Sequence, residues 1–187
     1  MYEEELKKFV KPYYEAKDMM HNFSHVLRIL REAEKLSKNY DVDKELLTYG
    51  AYLHGLIPKY EETVKQFLRK EGLSEQRIKQ IIQVAWESHK KAKPKTIEGK
   101  ILHDAHLIEG GKTFMIVKSL ITGTLRGQTL QETIKYIEEN LLGKFHCYLP
   151  EAQKLYEEKE KFTQKFLKEL KTSLSYSKPS NKHIKED

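Results

Sequence analysis

The sequence predicts an all-α fold, a single compact helical bundle, on three observations. Apolar residues recur at the helical period of 3.6 from end to end, and the two-residue alternation of strands is nearly absent. Lys and Glu interleave along the same stretches, as on solvated helix faces. The 187 residues carry 39% hydrophobic and 33% charged side chains, enough for one sizeable core within a charged coat.

The elements follow in order. A first helix is expected from about Glu3 to Ala16. A second runs from Asn22 or Phe23 to Ser37, with Val26, Ile29, Leu30 and Ala33 on one face. Asp43 caps a third, which carries Leu46, Leu47, Gly50, Ala51 and His54. Pro58 opens a fourth that ends near Gly72. Ser74 caps the next, whose stripe is Ile78, Ile81, Ile82, Ala85 and His89. Lys90 to Lys95, containing Pro94, reads as a loop. Thr96 caps a helix through Ile108, which Gly110 and Gly111 stop. Further helices are expected at Lys112 to Leu120, Thr129 to Leu142 and Pro150 to Lys171. The last of these turns Leu155, Phe162, Phe166, Leu167 and Leu170 inward. Residues 1–171 thus form the one domain. Thr172 to Asp187, polar and interrupted by Pro179, is expected to be a disordered tail.

Charge and cysteine content narrow the function classes. The net charge of +6 comes from 34 Lys and Arg against 28 Asp and Glu, and no long block of one sign selects nucleic acid or a membrane surface. A solvated surface with a local anion site is the reading that fits. Cys147 is the single cysteine, so no internal disulfide forms and a reducing, cytoplasmic setting is expected. Met1 to Pro12 is charged rather than apolar, unlike a signal peptide. No run of about 18 apolar residues is present to span a membrane.

Ionisable residues inside apolar stripes mark the candidate site, because a lone buried charge is costly unless it is paired. Asp104 interrupts the stripe Ile97, Ile101, Ala105, Ile108. It either binds a metal, caps a neighbouring helix or pairs with Arg28. His54 follows Leu47 and Ala51 on one face, His25 flanks the Val26 stripe, and His89 ends the Ile78 stripe. Three imidazoles and a carboxylate from four helices suit a divalent transition metal or a Mg²⁺-like ion in a bundle interior.

These residues lie in segments that resemble a known family. His21-Asn22-Phe23-Ser24-His25-Val26-Leu27-Arg28-Ile29 resembles the HDxxHxxRV opening motif of HD-superfamily phosphohydrolases. Gly50-Ala51-Tyr52-Leu53-His54-Gly55 resembles the segment that carries the His-Asp pair, and Ser88-His89 resembles the histidine after it. Glu98 to Leu107 resembles the later segment with a metal-binding Asp. Tyr136-Ile137-Glu138 and Phe162 to Leu170 look like the closing helices of the YedJ/YpgQ-like subgroup. The resemblance covers about Lys17 to Leu170 and implies an HD-domain-like bundle. It further implies His25, His54 and Asp104 as metal ligands, His89 as the catalytic residue beside the metal or the substrate phosphate, donating to or neutralising the transferring phosphoryl group, and Arg28 either as a phosphate contact or as a structural partner of a buried carboxylate.

Two positions depart from the pattern. Asn22 replaces the first motif Asp, and Gly55 replaces the Asp of the His-Asp pair. Two His and one Asp can hold one ion with open positions. His103, His106 or His21 are the residues that can compensate, although Asp104 and His106 diverge by roughly 200° on a helix and do not readily share an ion. Restoring the carboxylate with Gly55→Asp is expected to raise metal affinity. The resemblance implies a phosphohydrolase using one divalent ion (Mn, Mg, Fe, Co, Ni or Zn, not distinguished) on a small phosphorylated compound, a nucleotide by the subgroup likeness. The alternative is a degenerate, non-catalytic HD protein that binds a nucleotide or a partner. A nucleic-acid-binding protein is a third reading, disfavoured because no basic helix carries stacking aromatics.

Overall fold

The structure is a computed structural model that describes residues 2–175. Most of the expected polar tail therefore lies outside the described residues. Within them the chain forms nine helices and no strand: α1 (Tyr2–Glu15), α2 (Phe23–Ser37), α3 (Lys44–Leu53), α4 (Ile57–Lys70), α5 (Glu75–Glu87), α6 (Ile97–Ile108), α7 (Phe114–Leu125), α8 (Leu130–Asn140) and α9 (Pro150–Leu174).

Local side-chain chemistry sets most of the boundaries. The expected caps form: Asp43 accepts from the amides of Glu45 and Leu46, Ser74 from Arg77, and Thr96 from Gly99. Thr129 and Glu132 complete a reciprocal capping box at the start of α8. Gly110 and Gly111, at φ 71° and 70°, turn the chain sharply after α6, a left-handed backbone that side chains with a Cβ disfavour.

Helices α7 and α9 depart from expectation. Helix α7 runs to Leu125 rather than Leu120, and within this extension Thr122 and Thr124 bond their hydroxyls back to the carbonyls of Lys118 and Leu120. Helix α9 buries Ala152, Tyr156, Lys159, Thr163 and Leu167, whereas the expected core residue Leu155 is exposed. Lys159 lies on that inward stripe and reaches two carbonyls at the end of α6. Helix α9 also extends to Leu174, three residues past the expected limit.

Helix α6 is the hub and packs against α2, α3, α5 and α9. Its Ile101, Leu102 and Ala105 meet Ile29, Ala51, Val84 and Tyr156 in one core cluster. A second cluster joins α1, α3, α4 and α5 through Leu6, Val10, Leu53, Leu68 and Ile81. A third, smaller one fixes α8 to α9 through Ile134, Ile137 and Leu167. Gly50 lets α3 approach its neighbours: a Cβ there would stand 2.5 Å from Leu102 Cδ1 and 2.7 Å from Val84 Cγ1. Gly50→Ala should therefore lower stability by about 1–3 kcal/mol through overpacking. Denaturant unfolding measures it, and an unchanged midpoint would show that the crossing relaxes freely.

Candidate metal centre

Three helices bring three imidazoles together. His25 lies in the first turn of α2, His54 caps the C-terminus of α3, and His106 sits in the last turn of α6. One ring nitrogen of each lies within 4.8 Å of the others. The ring centroids are 5.0 to 5.4 Å apart. Two of the three come from helix C-termini, where the backbone dipoles favour positive charge.

The outer nitrogens are all engaged. His25 Nδ1 faces Glu109 Oε1 at 2.8 Å, His54 Nδ1 the Ala51 carbonyl at 2.7 Å, and His106 Nδ1 the Ser88 carbonyl at 3.3 Å. Carbonyl and carboxylate oxygens only accept, so each Nδ1 carries the proton and donates it, and each Nε2 keeps a bare lone pair. The Nε2 atoms of His25 and His54 stand 3.3 Å apart. Two lone pairs facing each other at that distance repel unless a cation lies between them. Burial also keeps the rings neutral. Desolvation pushes His25 down to about 4 despite Glu109, and pushes His54 and His106 well below the usual histidine range. Neutral imidazole is the form that binds metal.

Glu109, the C-cap of α6, supports this centre from below the rings. Its Oε1 accepts from His25 and from Arg28 Nε at 2.7 Å, and its Oε2 pairs with Lys118 Nζ at 3.0 Å. Desolvation raises its carboxyl, but His25, Lys118 and Arg28 outweigh that and hold it well below the usual carboxylate range. No sequence signal singled this residue out, because it lies beyond the last apolar position of the helix.

A basic cavity opens beside the imidazoles. It measures about 130 Å³, and its walls include His106, His21, Lys90, Lys118, Arg126 and Lys159, with Glu109 as the one carboxylate. Burial lowers Lys90 to about 8 and Lys159 to about 7, and lowers Lys118 as well. Lys159 Nζ donates to the carbonyls of Leu107 and Glu109 at 2.9 and 2.7 Å. The Tyr156 hydroxyl lines the same cavity, buried and without a hydrogen-bond partner among the described residues.

No family model matches the sequence, and no curated protein matches it. Solved structures do match the fold, over nearly the whole chain. Bacillus subtilis YpgQ in complex with ADP superposes with a TM-score of 0.74 at 18% identity, over 92% of this chain and 98% of that one. A protein from Listeria innocua matches at 0.73 and 20% identity, over 95% and 100%. A structure described as an HD-superfamily hydrolase from Bacillus thuringiensis matches at 0.74 and 17% identity, over 94% and 98%. The chain has the HD-superfamily fold.

Within this HD fold the residues expected from sequence part company. His25 and His54 meet as expected. Asp104 does not join them. It is fully buried and accepts from the amides of Tyr148 and Leu149, at 2.8 and 2.7 Å, and from His103 Nδ1 at 2.9 Å. Asp104 thus holds the turn that leads into α9, outside the imidazole cluster. His106 takes the third place because it lies on the opposite side of α6. Helix α6 is buried on nearly every face, so its apolar stripe does not identify which side meets the imidazoles.

Arg28 spends its donors on Glu109, Ser24 Oγ and the Met20 carbonyl, so it is held as a structural partner of a buried carboxylate. His89 packs edge-on against Trp86 and bonds through Nε2 to the His54 carbonyl at 3.1 Å. Neither Arg28 nor His89 is among the residues lining the cavity.

Gly55 is the position at which the sequence resemblance leads one to expect an aspartate, and the space beside it is taken. A Cβ there would lie 2.7 Å from both Lys17 Nζ and the Tyr14 hydroxyl. Lys17 Nζ donates to the Gly55 carbonyl at 2.8 Å.

Asp104→Ala should leave two buried amides unsatisfied and lower stability by about 2–3 kcal/mol. Metal titration of the folded variant should be unchanged. Unaltered stability with lost metal binding would return Asp104 to the ligand set.

Proposed function

We propose that this chain is a metal-dependent hydrolase of small phosphorylated compounds, with nucleotides as the substrate class. The observation that carries the reading is the basic cavity walled by His106, itself one of three imidazoles that each bring a ring nitrogen within 4.8 Å of the others. A divalent ion held by His25, His54 and His106 supplies Lewis acidity toward a phosphoryl oxygen and toward water.

The protein's own groups supply the rest. Lys90, Lys118 and Arg126 give the cavity positive charge for phosphate oxygens, in a site where burial strengthens each interaction. His21 also lines the cavity, with Nδ1 bonded to the Asp18 carboxylate at 2.8 Å. A carboxylate on one ring nitrogen orients the imidazole and leaves the other for proton transfer, so His21 is the better general acid or base than His89. Lys159 and Arg28 keep the end of α6 and Glu109 in place. The ADP bound by YpgQ supports nucleotides for this chain. Free Cys147 fits a cytoplasmic setting, and among the described residues no helix is long and apolar enough to cross a membrane.

A second reading rests on one observation. The Gly55 position carries no carboxylate and is filled by a lysine ammonium, which fits a degenerate HD protein that binds its ligand without turnover.

A screen of nucleotides and generic phosphate esters with added divalent ions separates the two. Turnover should appear and vanish in His54→Ala. Lys90→Met should raise KM roughly 10- to 100-fold, the worth of a charged hydrogen bond. Binding of nucleotide with no turnover under any metal would establish the degenerate reading. A His21→Ala variant should lose kcat while keeping KM, and an unchanged kcat would remove His21 from proton transfer.

A further inference from the structure

We propose that the three imidazoles hold a single borderline transition-metal ion such as Zn²⁺, Co²⁺ or Ni²⁺ and reject Mg²⁺ and Mn²⁺. The grounds are that no carboxylate belongs to the donor group and that a lysine ammonium stands where one would be. This rests on the metal-dependent reading above, and it goes further by fixing the class and number of ions.

The donor set argues first. The clustered ligand atoms among the described residues are nitrogen alone, from His25, His54 and His106. Imidazole suits zinc, copper, iron and nickel, whereas Mg²⁺ and Mn²⁺ are held by carboxylate, carbonyl and water oxygens. Mg²⁺ dehydrates reluctantly, and three neutral rings offer no charge to offset that cost.

The surrounding charge argues in the same direction. Lys17 Nζ sits at the mouth of the Gly55 position, bonded to its carbonyl at 2.8 Å, and its charge acts on His54. Lys90 and Lys118 line the same cavity as His106. The buried anion, Glu109, reaches only the outer nitrogen of His25 and is shared with two cations. An ion held by charge attraction is therefore opposed here, and one held by dative bonds from nitrogen is not. The outer hydrogen bonds of all three rings then do the orienting that such sites require.

The number of ions follows from the lone pairs. With each Nδ1 proton committed, each ring has one nitrogen to give, and all three meet at one place. A bridging carboxylate for a second ion would have to come from position 55. Gly55 has no side chain, and Lys17 Nζ stands 2.7 Å from where a Cβ would be, beside which an aspartate would meet an ion-pair partner that competes with the centre.

The test uses the full chain, stripped with a chelator and titrated separately with Zn²⁺, Co²⁺, Ni²⁺, Mg²⁺ and Mn²⁺ by calorimetry, with ions per chain counted by elemental analysis. One Zn²⁺, Co²⁺ or Ni²⁺ should bind per chain, on the order of 100-fold more tightly than Mg²⁺. The visible bands of bound Co²⁺ should disappear on adding Zn²⁺ and persist on adding Mg²⁺, a result that needs no variant. His106→Ala should abolish the Co²⁺ bands, and Asp104→Asn should keep them. Gly55→Asp alone should leave the preference unchanged, whereas Gly55→Asp combined with Lys17→Ala should move it toward Mn²⁺ and Mg²⁺. Two ions per chain, Mg²⁺ bound as tightly as Zn²⁺, or Co²⁺ bands indifferent to His106 would overturn the inference. Mg²⁺-supported phosphate-ester turnover would overturn it and leave the hydrolase reading standing. One bound Zn²⁺ without turnover of any ester would do the reverse.

Discussion

The Glu109 carboxylate is the interaction on which the rest of the site depends. It ends α6, receives His25 and Arg28 from α2 and Lys118 from α7, and so joins three helices at one buried anion. Its contact with His25 sets which nitrogen of that ring carries the proton. Its position at the end of α6 also fixes where His106, one turn earlier, can reach. A buried carboxylate is stable only with such partners, so the local electrostatics and the helix arrangement are one constraint rather than two.

The same logic orders the α6 to α9 contact. Asp104 accepts from the amides of Tyr148 and Leu149, just before α9, and Lys159 of α9 donates to the carbonyls of Leu107 and Glu109 at the end of α6. A cation and an anion buried in the bundle each satisfy backbone groups at or beside a helix end. Polar residues here act as joints between helices. The apolar clusters supply burial, and these joints supply register.

Much of this was legible in the sequence. The caps Asp43, Ser74 and Thr96 announced their helices, because side-chain oxygens at those places serve amides that nothing else satisfies. His25 and His54 stood out as polar residues on apolar faces. Asp104 stood out for the same reason, and its carboxylate binds the turn before α9. His106 was legible only as a possible substitute, since a helix buried all round gives no single face to read. Glu109, Lys118 and the Lys159 contact were not legible. Their meaning arises from charges up to 84 residues apart in the chain meeting inside the bundle. The glycine at position 55 was legible as a departure, but its cause was not, because Lys17 and Tyr14 fill the space from another helix and its trailing loop.

Trp86 gives the molecule a built-in optical reporter. It is the sole tryptophan, partly exposed, and its indole lies edge-on to His89, whose other contact is the carbonyl of His54. Its emission therefore originates from one known place, two residue contacts from the imidazole cluster. Any event that shifts His54 is relayed to a chromophore already present, so occupancy of the centre can be followed in the unlabelled protein.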